Sequence, residues 1–244
     1  MRVLVLGADG YLGWPTCMYL ARKGYEVMAT DGMLKRKWEV EVSGKPINPP
    51  RPYQQRAKLW NHLRDDGQAN NVGWAAESCP IEYITYPINI ADNPASLYRL
   101  VDTFRPEGIV HYAEQPSAPY SQATRRSAVN TQTNNIVGTL NLIFATAHLA
   151  EKPHIVKLGS MGEYGTPNLP IREGWLDVTV WDGLKRYRDR VLYPKRPGSW
   201  YHLSKVHDSH NLEFACRTYG LRCTDLNQGV VYGVNTDETA IHPD

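Results

Sequence analysis

The chain has 244 residues, enough to bury a full hydrophobic core, and a single domain is the default at this length. Its 27 basic and 25 acidic residues are well mixed and leave a formal charge of +2, which argues against a nucleic-acid surface. No apolar run approaches the length of a membrane span, the N-terminus lacks a signal-peptide pattern, and Cys17, Cys79, Cys216 and Cys223 stand apart without metal-ligand spacing, so a reducing, cytoplasmic setting is expected.

Arg2-Val-Leu-Val-Leu6 is a continuous apolar run of the kind a buried parallel strand shows, and Thr16–Arg22 then has helical character. Between them lie Gly7, Gly10 and Gly13, in the string Gly-Ala-Asp-Gly-Tyr-Leu-Gly. Glycine permits the sharp strand-to-helix turn, the close approach of a pyrophosphate and tight helix–strand packing, while amides at the helix start face the phosphates. Such spacing alone is weak, because a glycine-rich loop is often only a turn. Here a second strand, Tyr25–Thr30, ends at Asp31, close to the position about twenty residues on where a carboxylate binds the adenine ribose hydroxyls. Strand, loop, helix and acid together predict a dinucleotide site. Asp31 would crowd a 2′-phosphate, which favours NAD over NADP.

An irregular stretch follows, rich in proline at Pro46, Pro49, Pro50 and Pro52, and the basic cluster Lys35-Arg-Lys37 reads as a solvated loop. A helix is expected around Tyr53–Leu63, a strand over Ile81–Tyr86, a helix over Ala95–Phe104 and a short buried strand over Gly108–Ala113. Asn134–Leu149 reads as a long helix, His154–Leu158 as the next strand, Trp200–Tyr219 as a helix and Arg222–Leu226 as the last strand. An inserted hairpin interrupts the series over about 176–193, with its turn at Asp182-Gly183. Strand–helix alternation of this kind implies an α/β, Rossmann-type doubly wound parallel sheet, with its ligand beyond the carboxyl ends of the strands.

Two further features carry chemistry. Tyr201-His-Leu-Ser-Lys205 places a phenol and an ammonium four residues apart, on one helix face and about 6 Å apart along the axis. A cation there favours tyrosinate and lowers the phenol from its usual value near 10, so that Tyr201 can take a substrate hydroxyl proton. Ser160, just past the His154–Leu158 strand, can hydrogen-bond the same reacting oxygen. His202, His207 and His210 suggest a metal, but no further ligand has suitable spacing, and core or interface histidines are the better reading. The 7 Trp and 15 Tyr fit packing and a sugar pocket, since no basic stripe accompanies them.

The glycine loop, Ser160, Tyr201 and Lys205 resemble the extended short-chain dehydrogenase/reductase superfamily, whose members act mostly on nucleotide sugars with bound NAD. Longer strings narrow this. Tyr112-Ala-Glu-Gln-Pro-Ser-Ala-Pro-Tyr-Ser121, Lys157-Leu-Gly-Ser-Met-Gly-Glu-Tyr-Gly-Thr-Pro-Asn168, Tyr201–Asn211 and Asp225–Val234 look like the UDP-sulfoquinovose synthase family. That resemblance implies synthesis of UDP-sulfoquinovose from UDP-glucose and sulfite. Tyr201 deprotonates the 4-hydroxyl, hydride leaves C4 for NAD, the ketone acidifies C5, water leaves C6, sulfite adds at C6 and the hydride returns. It also implies that Lys205 holds the ribose, that Ser160 polarises the 4-oxygen, and that Met161, Glu163 and His202 line the reacting pocket. For the cofactor shell it implies Asp9, Tyr11 and Leu12 along the phosphates and Arg36 near the adenosine end. Asn89 and Ile90 would hold the adenine, and Ala113, Glu114, Asn134, Leu158 and Gln228 would line the cofactor. A homodimer is the family expectation, through helices near Ala95–Phe104, Asn134–Leu149 or Trp200–Tyr219.

Related 4,6-dehydratases carry an Asp-Glu acid/base pair after the strand-end hydroxyl; Met161-Gly162 stands there and transfers no proton. Two departures from the family pattern are visible. Pro116 occupies the place of a family arginine, and the chain stops at Asp244 where relatives continue, so residues 1–244 read as the NAD-binding domain with an incomplete nucleotide-sugar part. A 4-epimerase, another dehydratase, or a non-catalytic NAD-binding module therefore remain alternatives.

Overall fold

The computed structural model describes residues 1–44, 51–65 and 78–231. Six parallel strands form one sheet: β1 (Arg2–Leu6), β2 (Glu26–Thr30), β3 (Ile81–Tyr83), β4 (Gly108–His111), β5 (His154–Leu158) and, last in the chain, Arg222–Leu226, which is β8. Their spatial order is β3-β2-β1-β4-β5-β8. The order reverses between β1 and β4, and a crevice opens outside the carboxyl ends of those two strands.

Strand period explains why helices cover both faces. Val3 and Val5 pack on one side with Trp14, Cys17, Tyr53, Ala57 and Trp60, from α1 (Gly13–Arg22) and α3 (Tyr53–Asp65). Leu4 and Leu6 pack on the other with residues of α4 (Pro94–Phe104), α7 (Gly138–Ala147) and α8 (Trp200–Tyr219), among them Val101, Leu142 and Leu212. Each fully buried leucine contributes about 1.5–3 kcal/mol, so alternation along five residues commits β1 to the centre of the sheet. Local chemistry sets the helix ends. Asn93 accepts from the Ser96 amide at 3.1 Å to start α4, and Ser199 accepts from the His202 amide at 3.1 Å to start α8.

Several elements differ from the sequence reading. The stretch after Asp31 is not irregular throughout: α2 spans Leu34–Ser43, so Lys35-Arg-Lys37 lies on a helix rather than in a loop. Trp38 supplies the reason, being buried and in ring contact with Tyr120 at 5.9 Å. Pro46, Pro49 and Pro50 lie outside the described residues. The Ile81–Tyr86 strand shrinks to Ile81–Tyr83. The helix expected from Asn134 is preceded by α5 (Ala118–Ala123) and by α6 (Arg125–Gln132), which begins at a Thr124–Ser127 capping box. A π-helical turn, Thr133–Val137, joins α6 to α7. The hairpin consists of β6 (Trp175–Trp181) paired antiparallel with β7 (Arg186–Leu192), and Asp182 accepts from the amides of Leu184 and Lys185 at its turn. No helix among the described residues is long and apolar enough to cross a membrane.

Candidate active site

The glycine loop is defined by space that no side chain can enter. A Cβ on Gly13 would lie 1.9 Å from the Gly7 carbonyl oxygen, and one on Gly7 would lie 2.5 Å from the Tyr112 carbonyl carbon. Gly7 also has φ of +88°, which L side chains rarely adopt. These contacts seat the loop against the end of β4 and bring α1 onto β1. Leu12, at the start of α1, has no side-chain oxygen to cap the first amides. Tyr11 is half exposed beside it.

Asp9 turns inward. Its carboxylate accepts from Arg36 Nε at 2.6 Å, Arg56 Nη2 at 2.8 Å and the Tyr53 amide at 2.9 Å. Arg56 is buried, donates also to the Asp9 carbonyl at 2.9 Å, and stacks 5.1 Å from the Trp14 ring. Asp9 therefore fixes the loop to α2 and α3. Asp9, which the resemblance implied along the phosphates, lines the crevice and forms an ion pair with Arg36, the residue implied near the adenosine end. Asp31, at the end of β2, accepts from the amides of Asp9 at 2.9 Å and Met33 at 2.6 Å. Burial, and then the neighbouring Asp9 charge, push its carboxyl up to about 6.

Farther along the crevice, Gly32, just past β2, allows the chain to pass close to Asn89, where a Cβ would lie 3.1 Å from the Asn89 Cα. Asn89 accepts from the Ala91 amide at 3.1 Å and donates to Asp92 at 2.5 Å, while buried Ile90 is held through its carbonyl by Asn141 at 2.7 Å. Ala113, Glu114 and Asn134 line the same crevice as Gly7, Asp31, Asn89 and Ile90. The sequence reading missed Asn135. It is buried, and its side chain bonds the Gln115 amide at 2.7 Å, the Gln115 carbonyl at 3.2 Å and Ser204 Oγ at 2.9 Å. Asn135 thus ties the loop after β4 to α8, from a π-helical turn of the kind that recurs at functional sites.

The second wall of the crevice comes from β5 and α8. Ser160 caps a 3-10 turn, Met161–Glu163: its Oγ accepts from the Gly162 amide at 3.2 Å, and its own amide donates to Glu163 at 3.0 Å. The Ser160 hydroxyl lies close enough to the Tyr201 phenol to pull its pKa down. Lys205 Nζ lies 5.6 Å from the centre of the Tyr201 ring, donates to the Leu158 carbonyl at 2.6 Å and pairs with Glu114. The three residues singled out in the sequence thus meet at the carboxyl end of β5. Glu163 is fully buried and acts as a strut, bound to Lys195 at 2.5 Å and Ser209 at 3.0 Å. Met161 is exposed, and its amide donates to the Gln228 carbonyl at 2.8 Å. His202 Nδ1 meets Ser199 Oγ at 3.0 Å, and its ring stands 4.9 Å from that of Tyr201. Gly162 is required there, because a Cβ would fall 2.2 Å from His202 Nε2.

The sequence reading had Lys205, with a nicotinamide cation nearby, lowering the phenol; in the chain alone burial holds the Tyr201 pKa above its ordinary value, against the opposing pull of Lys157 and Ser160. Lys205 is itself pushed down to about 8 by burial. A further charged group, Lys157 of β5, is one the sequence reading passed over, although a lysine inside an apolar strand is a visible anomaly. No cluster of three His, Cys, Asp or Glu side chains able to hold a metal occurs among the described residues.

A doubly wound sheet with a glycine turn at its switch point, facing Ser160, Tyr201 and Lys205 across the crevice, is the fold of a nucleotide-dependent enzyme. The chain belongs to the NAD dependent epimerase/dehydratase family, whose model matches residues 3–243. It is 43% identical over 241 residues to a chloroplastic UDP-sulfoquinovose synthase of Spinacia oleracea, covering 99% of this chain and 46% of that protein. It is 38% identical over 239 residues to a UDP-sulfoquinovose synthase of Sulfolobus acidocaldarius, covering 98% of this chain and 56% of that one. The chain therefore spans about half the length of these curated relatives. Among solved structures, a UDP-glucose 4-epimerase from Brucella ovis in complex with NAD aligns with TM-score 0.59 and 19% identity, over 93% of this chain and 51% of that one. A Thermotoga maritima UDP-glucose 4-epimerase with UDP-glucose aligns with TM-score 0.58 and 21% identity, over 93% and 55%. These neighbours establish the shared fold.

Proposed function

We propose that this chain is the NAD-binding part of an enzyme that makes UDP-sulfoquinovose from UDP-glucose and sulfite. The single observation that carries the reading is the meeting of Ser160, Tyr201 and Lys205 beside the glycine crevice, in a chain 43% identical to a protein of that name. The crevice fits a dinucleotide: Gly7 and Gly13 leave no room for side chains, and Asp31 offers a carboxylate at the end of β2. Glu114, buried between Lys205 and His111, lies on the same lining. Bound NAD supplies a hydride acceptor and donor for the sugar carbon.

Tyr201 takes the proton of the 4-hydroxyl and later gives it back. Ser160 donates to the same oxygen and stabilises charge as it develops there. Lys205 binds the ribose hydroxyls of the cofactor through its ammonium. His202 and Met161 shape the wall against which C6 reacts, and Met161-Gly162 withholds the acid/base pair that an ordinary dehydratase uses. Over the whole cycle the C6 hydroxyl leaves as water, sulfite sulfur takes its place, and the cofactor ends in its starting state. Asp31 favours NAD over NADP because its carboxylate would repel a 2′-phosphate. The protein works as a homodimer in the reducing cytoplasm.

Incubation with NAD, UDP-glucose and sulfite, with products resolved by mass, tests the reading. A sulfonated UDP-sugar, lost in Tyr201→Phe, supports it. UDP-galactose formed with or without sulfite assigns a 4-epimerase instead, and unchanged function in Tyr201→Phe assigns a non-catalytic module.

A further inference from the structure

β6 and β7 form a sheet of their own, and no third strand joins them among the described residues. A two-stranded ribbon is at best marginally stable in water, and three or more strands with an apolar face hold together far better. Yet Val180 is 58% and Trp181 69% exposed, and Trp175 and Tyr187 are exposed as well. The hairpin thus leaves β6 with an open outer edge and large apolar side chains in water, the arrangement that invites another strand.

The turn fixes which groups that edge offers. The Asp182 amide donates to the Lys185 carbonyl at 3.3 Å, so this pair is bonded across the ribbon. Antiparallel pairs alternate between bonded and non-bonded, so in the observed register Val180, Val178 and Leu176 bond to β7. Trp181, Thr179, Asp177 and Trp175 direct their amides and carbonyls outwards.

This edge is complementary to itself. Trp175-Leu-Asp-Val-Thr-Val-Trp181 gives the same order of residue types from either end: aromatic, aliphatic, polar, and Val178 at the centre. A second β6 laid antiparallel about a two-fold axis at Val178 sets Trp175 against the second copy's Trp181, Leu176 against its Val180 and Asp177 against its Thr179. Every outward-facing residue then meets an outward-facing residue, and no like charges meet. A slip of one residue destroys the match. In this register Leu176, Val178, Val180, Tyr187 and Val191 make one apolar face across four strands.

The outer edge of β7 is closed to such use. A two-fold axis at Asp189 would set Asp189 against its own copy and Arg188 against Arg190, all like-charge pairs. The Arg190 amide is already bound by the Asp189 carboxylate at 2.7 Å. Charged edges resist further pairing, so growth through β6 stops at four strands.

We propose that β6 is an assembly edge: two copies of this chain pair their β6 strands antiparallel about Val178, in a four-stranded sheet bounded by the arginines of the two β7 strands. The contact uses none of the helices through which a homodimer is expected. It also uses no residue that lines the glycine crevice, so it is independent of the proposed chemistry.

Sedimentation equilibrium over a range of protein concentrations compares wild type with Thr179→Pro. Proline there removes an outward amide and none that binds β7, so the hairpin keeps its own bonds. Thr179→Pro is expected to halve the mass of the assembled species, with the thermal melt and NAD affinity near wild type. Val178→Cys is the second arm. In the proposed register the two thiols stand on a non-hydrogen-bonded pair with Cα atoms about 4.5 Å apart, a span that a disulfide bridges. Mild oxidation of Val178→Cys is expected to give a covalent dimer that wild type, with its four native cysteines, does not form. Leu176→Cys, which would face the second copy's Val180, is expected to give none. An unchanged mass in a folded Thr179→Pro protein overturns the proposal. So does a Val178→Cys protein that cross-links no faster than wild type, or one matched by Leu176→Cys.

Discussion

The two walls of the crevice are built on opposite principles. The β1 wall is made by what is missing: at Gly7 and Gly13 a single added carbon would fall 2.5 and 1.9 Å from backbone atoms. The β5–α8 wall is made by what is present: Lys157, Lys195, Lys205, His111 and His202 gathered with the acids Glu114, Glu163, Asp208 and Asp225. Steric exclusion acts between near neighbours in sequence and tolerates few residue types. Electrostatic tuning gathers residues from β4, β5, α8 and β8, any of which can be altered with graded effect.

Removing the reacting group should have the largest consequence on the charged wall. Tyr201→Phe is expected to lower turnover by about 10²–10⁴-fold while leaving the melting temperature and NAD affinity near wild type, because the phenol ring is retained. Steady-state rates beside thermal melts check this. If turnover and NAD affinity fell together, the phenol would be a binding group and the division between the walls would blur.

The steric wall has its own charged brace, and breaking it sharpens the contrast. Arg56→Met leaves the Asp9 carboxylate buried with less compensation and should cost about 3–5 kcal/mol of unfolding free energy. Denaturant titration measures that loss. Arg36, the second partner of Asp9, is more exposed, so Arg36→Met should cost less.

A third test concerns pH. The Asp31 carboxyl is raised to about 6, so it is protonated below that value and accepts ribose hydroxyls poorly. NAD affinity should therefore fall as pH drops through about 6. Asp31→Asn should weaken binding about tenfold or more at pH 7.5 and remove that dependence. Fluorescence titration at several pH values reads both. The folding sign is opposite: a raised carboxyl pKa favours the folded state below the unfolded value, and that advantage is lost as pH rises through about 6.

How much of this was legible depended on the same distinction. β1 could be read because Val3, Leu4, Val5 and Leu6 are adjacent, and the glycines because their spacing is local. Ser160, Tyr201 and Lys205 could be read from strand end and helix spacing. The α2 helix was missed because its apolar anchor, Trp38, buries against Tyr120, a partner more than eighty positions away. α6 was missed because Arg125-Arg-Ser-Ala-Val-Asn-Thr-Gln132 carries no apolar stripe and is held by its Thr124 cap instead. The inward turn of Asp9 and the struts at Glu163 and Asn135 depend on Arg56, Lys195 and Ser204, contacts that no spacing rule encodes.

The smallest effect is expected outside both walls. Leu184, at the tip of the β6–β7 hairpin, is 97% exposed, so Leu184→Ser should change unfolding free energy by less than about 0.5 kcal/mol and leave NAD affinity unchanged.

The most direct measurement is a crystal structure of the chain soaked with NAD. The account predicts a dinucleotide with its pyrophosphate over Gly7–Gly13, its adenine ribose at Asp31 and its nicotinamide within reach of the Tyr201 hydroxyl. A dinucleotide bound elsewhere, or a nicotinamide ring lying away from Tyr201, would contradict it.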